Sequence, residues 1–153
     1  MIYMKKLFIY YSNTGNGDFL ASVLAEREFE PHKIETLKPI KKMNFFGIFK
    51  YGFLAATKKL IKIKDLEIVF DFDQDEVVIG SPIWNDRLSN PVLTLLSSYG
   101  FNKETTQFVL YAGGGKANHA IKQLETFGFK KAPIVLKQPL SDKEASIEAL
   151  KNL

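Results

Sequence analysis

Short apolar runs alternate along this chain with stretches of helical period. Leu7-Phe8-Ile9-Tyr10-Tyr11 is unbroken by charge and predicts a strand near 5–11, buried on both faces. Phe19, Leu20, Val23 and Leu24 then recur on one stripe and predict a helix near 16–28. His32-Lys33-Ile34-Glu35-Thr36-Leu37 alternates, which suits an edge strand. Further strands are predicted near 75–81, around Val77-Val78-Ile79, near 106–112 and near 133–138. Val92, Leu95, Leu96 and Tyr99 form a second stripe, with Pro91 at its first turn and Gly100 closing it. Ser141 opens the last helix, and Glu144 has the spacing of a capping box. Strands alternating with helices and no linker predict an α/β protein of one domain, 1–153, with helices on both faces of a parallel sheet.

The candidate chemistry sits in the turns. Ser12-Asn13-Thr14-Gly15-Asn16-Gly17 joins the first strand to the first helix. Such a turn gathers backbone N–H groups at the positive end of a helix dipole, where a phosphate is held. It has two hydroxyls and no lysine or arginine. A P-loop needs Gly-Lys-Ser/Thr, and the chain has Gly17-Asp18-Phe19. A dinucleotide fingerprint matches at Gly15 and Gly17, with Glu35 placed to hold a ribose, but Leu20 stands where the third glycine belongs. A turn that binds nothing is the alternative.

The later turns separate these readings. Gly80-Ser81-Pro82-Ile83-Trp84-Asn85-Asp86-Arg87 ends the strand at Val77-Val78-Ile79, and Asn90-Pro91-Val92 starts a helix behind it. The strand Phe108-Val109-Leu110-Tyr111 delivers Ala112-Gly113-Gly114-Gly115. With the first loop, which follows Ser/Thr-x-Thr-Gly-x-Thr at Ser12, Thr14 and Gly15, these turns resemble the three flavin loops of the flavodoxin family. The likeness is to small FMN-binding members near the tryptophan-repressor-binding-protein-like and quinone-reductase groups. The chain departs from that pattern at Gly17, where a hydroxyl residue is usual, and at Asn85 and Asp86.

The resemblance implies a three-layer, doubly wound, flavodoxin-like sheet of five parallel strands, in the order 2-1-3-4-5, with FMN at the switch point. It implies FMN contacts from Ser12, Asn13, Thr14, Gly15, Asn16 and Gly17. The second loop would add Ser81, Pro82, Ile83, Trp84, Asn85 and Asp86, and the third Ala112, Gly113, Gly114 and Gly115. Trp84, the only tryptophan, is expected against the flavin ring; filling a gap between loop and helix is its other use. The expected activity is an FMN-dependent oxidoreductase that takes electrons from NAD(P)H to a quinone-like acceptor. A flavodoxin-type electron carrier, or a binding protein that kept the fold without functional FMN, are the alternatives. A receiver domain shares the topology, but Ser12-Asn13 and Ser81-Pro82 stand where its acids belong.

Composition narrows the partners. The chain has no cysteine, so disulfide and thiolate chemistry are absent. His32 and His119 lack the neighbours of a zinc site, and no metal is expected. No apolar run approaches the roughly 20 residues of a membrane span. The N-terminal residues do not read as a signal peptide, so a cytoplasmic protein is expected, as monomer or homodimer. Of 21 basic residues, eight lysines (Lys38, Lys41, Lys42, Lys50, Lys58, Lys59, Lys62 and Lys64) fall within 36–64, a segment with no acid. The whole chain is only +4, so the remainder carries −4. Phe45, Phe46, Phe49, Tyr51 and Phe53 share that segment. A sheet-covering helix with solvated lysines is one reading; a docking face for an acidic redox partner or an anionic membrane surface is the other. No base-contacting module is apparent, and no nucleic acid is expected.

Overall fold

In a computed structural model of the protein, residues 4–38, 60–71, 73–114 and 116–153 are described. Along the chain they form β1 (Lys6–Tyr10), α1 (Asn16–Ala25), β2 (Glu30–Lys33), β3 (Glu76–Trp84), β4 (Arg87–Leu88), α2 (Asn90–Ser98), β5 (Gln107–Ala112), α3 (Asn118–Phe127), β6 (Ile134–Lys137) and α4 (Lys143–Leu150). The sheet runs β2-β1-β3-β5-β6, with all four pairings parallel. Counting parallel strands alone, that is the expected order 2-1-3-4-5. The two-residue β4 pairs antiparallel with the end of β3.

The strand pattern divides the core. Leu7, Ile9, Val77, Ile79, Phe108 and Leu110 point to one face, where Val92, Leu95 and Leu96 of α2 and Ala120 and Leu124 of α3 cover them. Phe8, Tyr10, Val78, Val109 and Tyr111 point to the other, under Leu20, Ala21 and Leu24 of α1 and Leu150 of α4. Period-two alternation in strands with apolar neighbours on both sides thus gives two cores and three layers. Each fully buried aliphatic side chain there contributes about 1.5–3 kcal/mol.

Several boundaries differ from expectation. Helix α1 stops at Ala25 rather than near 28, because Glu28 takes a left-handed φ of 70° and Phe29 N–H turns back to Leu24 O. The edge strand lies at Glu30–Lys33 instead of 32–37. Its pairing with Leu7–Tyr10 sets it, and Pro31 is tolerated because an edge strand need not donate on both sides. Thr36 bridges Ile63 antiparallel instead. Strand β3 runs on through Ser81, Pro82 and Ile83 to Trp84, so residues expected in a loop extend the sheet. Tyr99, extended at φ −126°, ends α2 before Gly100, and its hydroxyl accepts from Leu66 N–H. Asp142, not Ser141, caps the last helix, its Oδ1 accepting from Ala145 N–H at 3.2 Å.

In the basic segment, Lys38, Lys62 and Lys64 are exposed, and Lys64 pairs with Glu35 at 3.2 Å. That pairing leaves Glu35 engaged at the sheet edge rather than offered to a ribose. Lys41, Lys42, Lys50, Lys58 and Lys59, with Phe45, Phe46, Phe49, Tyr51 and Phe53, lie outside the described residues, as does Gly115. Among the described residues, no helix is long and apolar enough to cross a membrane.

Candidate functional site

Parallel strands bring their carboxyl ends to one edge, and there the loops enclose a cleft of about 440 Å³. Asn13, Thr14 and Asn16 line it from the β1–α1 loop, and Pro82, Ile83, Trp84 and Asn85 from β3 and its turn. Tyr111 and Gly113 line it from β5, and Gln138, Leu140 and Ser141 from the loop after β6. From β1 the connections run one way to β2 and the other way through β3 to β5 and β6, so the cleft sits at the switch point of the sheet.

The first loop is braced from within and leaves backbone donors free. Gly15 caps α1 at φ 95°, a left-handed conformation that glycine adopts without strain. Ser12, buried, turns its Oγ inward to accept from Gly17 N–H at 3.1 Å and Asp18 N–H at 3.4 Å. It therefore braces the loop from below. The backbone N–H groups of Thr14, Gly15 and Asn16 make no hydrogen bond among the described residues. With the exposed Thr14 hydroxyl they leave a cluster of donors at the positive end of α1. The one acid of that turn is engaged elsewhere: Asp18 pairs with Lys33 at 3.0 Å and accepts from Tyr10 Oη at 3.0 Å.

The glycine that departs from the familiar loop pattern has a steric cause. A Cβ on Gly17 would stand 2.6 Å from Tyr111 Oη, 2.8 Å from Ser12 Cβ and 2.9 Å from Tyr10 Cδ2. Two tyrosines on the same face, from β1 and β5 with β3 between them, occupy the space a hydroxyl side chain would need. Burial holds both phenols well above their ordinary pKa, and the Asp18 carboxylate raises that of Tyr10 further. Tyr111 accordingly stays protonated and donates to Tyr11 O.

The second loop is a tight hairpin. Asn85 and Asp86 both have positive φ, 51° and 62°, as a type I′ connection between β3 and β4 requires. Asn85 lines the cleft, whereas Asp86 is not among its lining residues and turns to α3. Asp86 O accepts from Ala120 N–H at 2.9 Å, and Asp86 Oδ2 lies 2.7 Å from His119 Nδ1. The hydrogen bond from His119 lowers the Asp86 pKa below its ordinary 3.8. Ser81 is wholly buried; its Oγ bonds Ser89 Oγ at 3.0 Å, accepts from Ser89 N–H at 3.1 Å and donates to Pro82 O. Trp84 is 6 % exposed, edge-on to Tyr11 at 5.8 Å, so it is both core and cleft wall.

In the third loop Gly113 lines the cleft, while Ala112 is buried and exposed Gly114 lies outside the lining. The fourth wall was missed from the sequence. Gln138, at φ 42°, donates from Nε2 to Gly113 O at 2.9 Å, and Leu140 N–H donates to Asn16 Oδ1 at 3.0 Å. These bonds close the ring of loops. A strand near 133–138 was recognisable, and parallel strands put the loop after it at this same edge.

The fold and the cleft define a doubly wound α/β protein with an open cleft at its switch point. No family model and no curated protein matches the chain. Solved structures do. A flavoprotein from Lactobacillus acidophilus NCFM, in complex with FMN, aligns with a TM-score of 0.68 at 17% identity, over 94% of this chain and 99% of that one. General stress protein 14 from Treponema denticola, in complex with FMN, aligns at 0.54 and 12% identity, over 97% and 94%. An NADPH-quinone reductase from P. pentosaceus aligns at 0.54 and 9% identity, over 95% and 92%. The chain has the flavodoxin-like fold.

Proposed function

We propose that the protein binds FMN non-covalently in this cleft and is an FMN-dependent oxidoreductase that reduces quinone-like acceptors. The observation that carries the reading is the donor cluster at the start of α1. Three uncommitted N–H groups and the Thr14 hydroxyl, with no lysine or arginine in the loop itself and with Asp18 paired to Lys33, suit a single phosphate monoester. Flanking it, Ile83, Trp84 and Leu140 offer apolar surface to a flat ring, and Asn85 and Gln138 offer amides to its polar edge. Gly113 leaves open space where a side chain would otherwise stand. Bound FMN supplies the electron chemistry; the chain's residues anchor its phosphate, orient its ring and shield it from water.

Two of the structural relatives are in complex with FMN and a third is an NADPH-quinone reductase, which supports this choice of cofactor and reaction. NAD(P)H is the donor on this reading. The experiment is a steady-state assay of FMN-loaded protein with NADPH, then NADH, against a soluble quinone. Acceptor-dependent oxidation of the nicotinamide supports the oxidoreductase. FMN bound tightly without turnover, but with electron exchange to a protein partner, favours a flavodoxin-type carrier.

A further inference from the structure

The second position of the β3–β4 turn is conspicuous for what occupies it. A type I′ turn with asparagine first is most readily completed by glycine, because both central residues have φ above zero. This chain places Asp86 there at φ 62°. Aspartate tolerates this conformation but less readily than glycine, so contacts elsewhere help to hold it there. Asp86 Oδ2 lies 2.7 Å from His119 Nδ1, in the first turn of α3, and Asp86 O accepts from Ala120 N–H at 2.9 Å. Leu88 N–H adds an independent tie to Gln123 Oε1 at 2.9 Å.

These bonds join two parts of the molecule that meet at the cleft. Asn85, directly before Asp86, lines it; α3 is the helix that follows the loop carrying Gly113, which also lines it. His119 also lines a second cavity, with Arg87, Lys122, Leu93 and Phe127, and no acid is among the residues lining it. Resting on the FMN reading above, we infer that Asp86 and His119 are positioning residues, a latch that fixes the Asn85 tip relative to the β5–α3 side of the cleft before the cofactor arrives. Asp86 does not touch the ligand on this account. It lowers the ordering cost of binding, which is how a preorganised wall raises affinity.

The test compares FMN affinity of wild type, Asp86→Gly, His119→Ala, His119→Asn and the Asp86→Gly/His119→Ala double variant. Asp86→Gly removes the carboxylate and improves the turn, so a residue serving the turn alone would leave affinity unchanged or tighter. The latch predicts about threefold to tenfold weaker binding for Asp86→Gly and for His119→Ala. The double variant should be no weaker than the worse single one, since both remove one contact. His119→Asn keeps an N–H donor near the position of Nδ1 and should restore affinity to within about twofold. Unchanged affinity in the single variants, multiplied losses in the double, or no rescue by asparagine would each overturn the inference. Amide exchange of the apoprotein reads the latch without cofactor: residues 85–88 and 118–120 should exchange faster in both single variants, and unaltered exchange rejects it. Should wild type take up no FMN, the cofactor reading fails, while the exchange arm still decides whether the latch exists.

Discussion

The loop after β1 and the hairpin after β3 face one cleft, yet they spend their polar groups in opposite ways. In the first, Ser12 takes over the internal bracing and leaves the N–H groups of Thr14, Gly15 and Asn16 uncommitted. In the second, Ser81 is tied to Ser89, Asn85 O to Arg87, and Asp86 to Ala120 and His119. One leaves donors uncommitted, the other ties its polar groups to the rest of the fold. Resemblance to a flavin loop therefore carries different weight in each: at the first it concerns donors, at the second mostly the placing of Trp84 and Asn85.

The contrast can be broken most forcefully at Gly17. Gly17→Thr restores the hydroxyl residue of the familiar loop, but its Cβ meets Tyr111, Ser12 and Tyr10 at under 3 Å. The expected result is a loss of about 3 kcal/mol in stability, toward the upper end for overpacking, together with weaker FMN binding. Chemical denaturation measures it; an unchanged or raised midpoint would mean that the two tyrosines do not fill that space.

Thr14→Ala sharpens the other side. Thr14 is exposed, so the unfolding midpoint should stay put while FMN affinity falls by about 2 kcal/mol, the worth of a hydrogen bond to a charged group. Ser81→Ala should do the converse. Ser89 N–H loses its buried acceptor, stability falls by about 1 kcal/mol, and the FMN affinity of the folded protein changes little. Equal effects of the two variants on both measurements would erase the distinction between receiving and holding.

The smallest effect concerns acid. The folded-state pKa of Asp86 lies below its ordinary 3.8, so its pairing with His119 contributes stability above that value and loses it as pH falls through the lowered pKa. The stability difference between wild type and Asp86→Asn should shrink over that acid range. The pair is partly exposed, so the difference is modest.

The strands that matter most were legible because burial on both faces leaves an unbroken apolar run, as in Leu7-Phe8-Ile9-Tyr10 and Phe108-Val109-Leu110-Tyr111. Glu30-Pro31-His32-Lys33 carries no such signal; its strand exists through its pairing with β1, which only the assembled sheet reveals. The strand expected near 75–81 stops short of Pro82, which nonetheless lies opposite Tyr111 in the sheet. The first loop was recognisable by residue type, since its chemistry is local to six successive positions. The reason for Gly17 was not, because it depends on Tyr10 and Tyr111 meeting across strands. Nor was the role of Asp86, whose partner His119 is 33 residues away.

Titration of the apoprotein with FMN, and separately with FAD and NAD, decides whether the donor cluster at the start of α1 holds a flavin monophosphate. Binding is followed by flavin fluorescence and by the emission of Trp84, the only tryptophan. The account predicts one FMN per chain, tighter than either dinucleotide, with Trp84 emission quenched as the site fills and with Thr14→Ala weakening the interaction. No uptake of FMN, or tighter binding of NAD than of FMN, would contradict it.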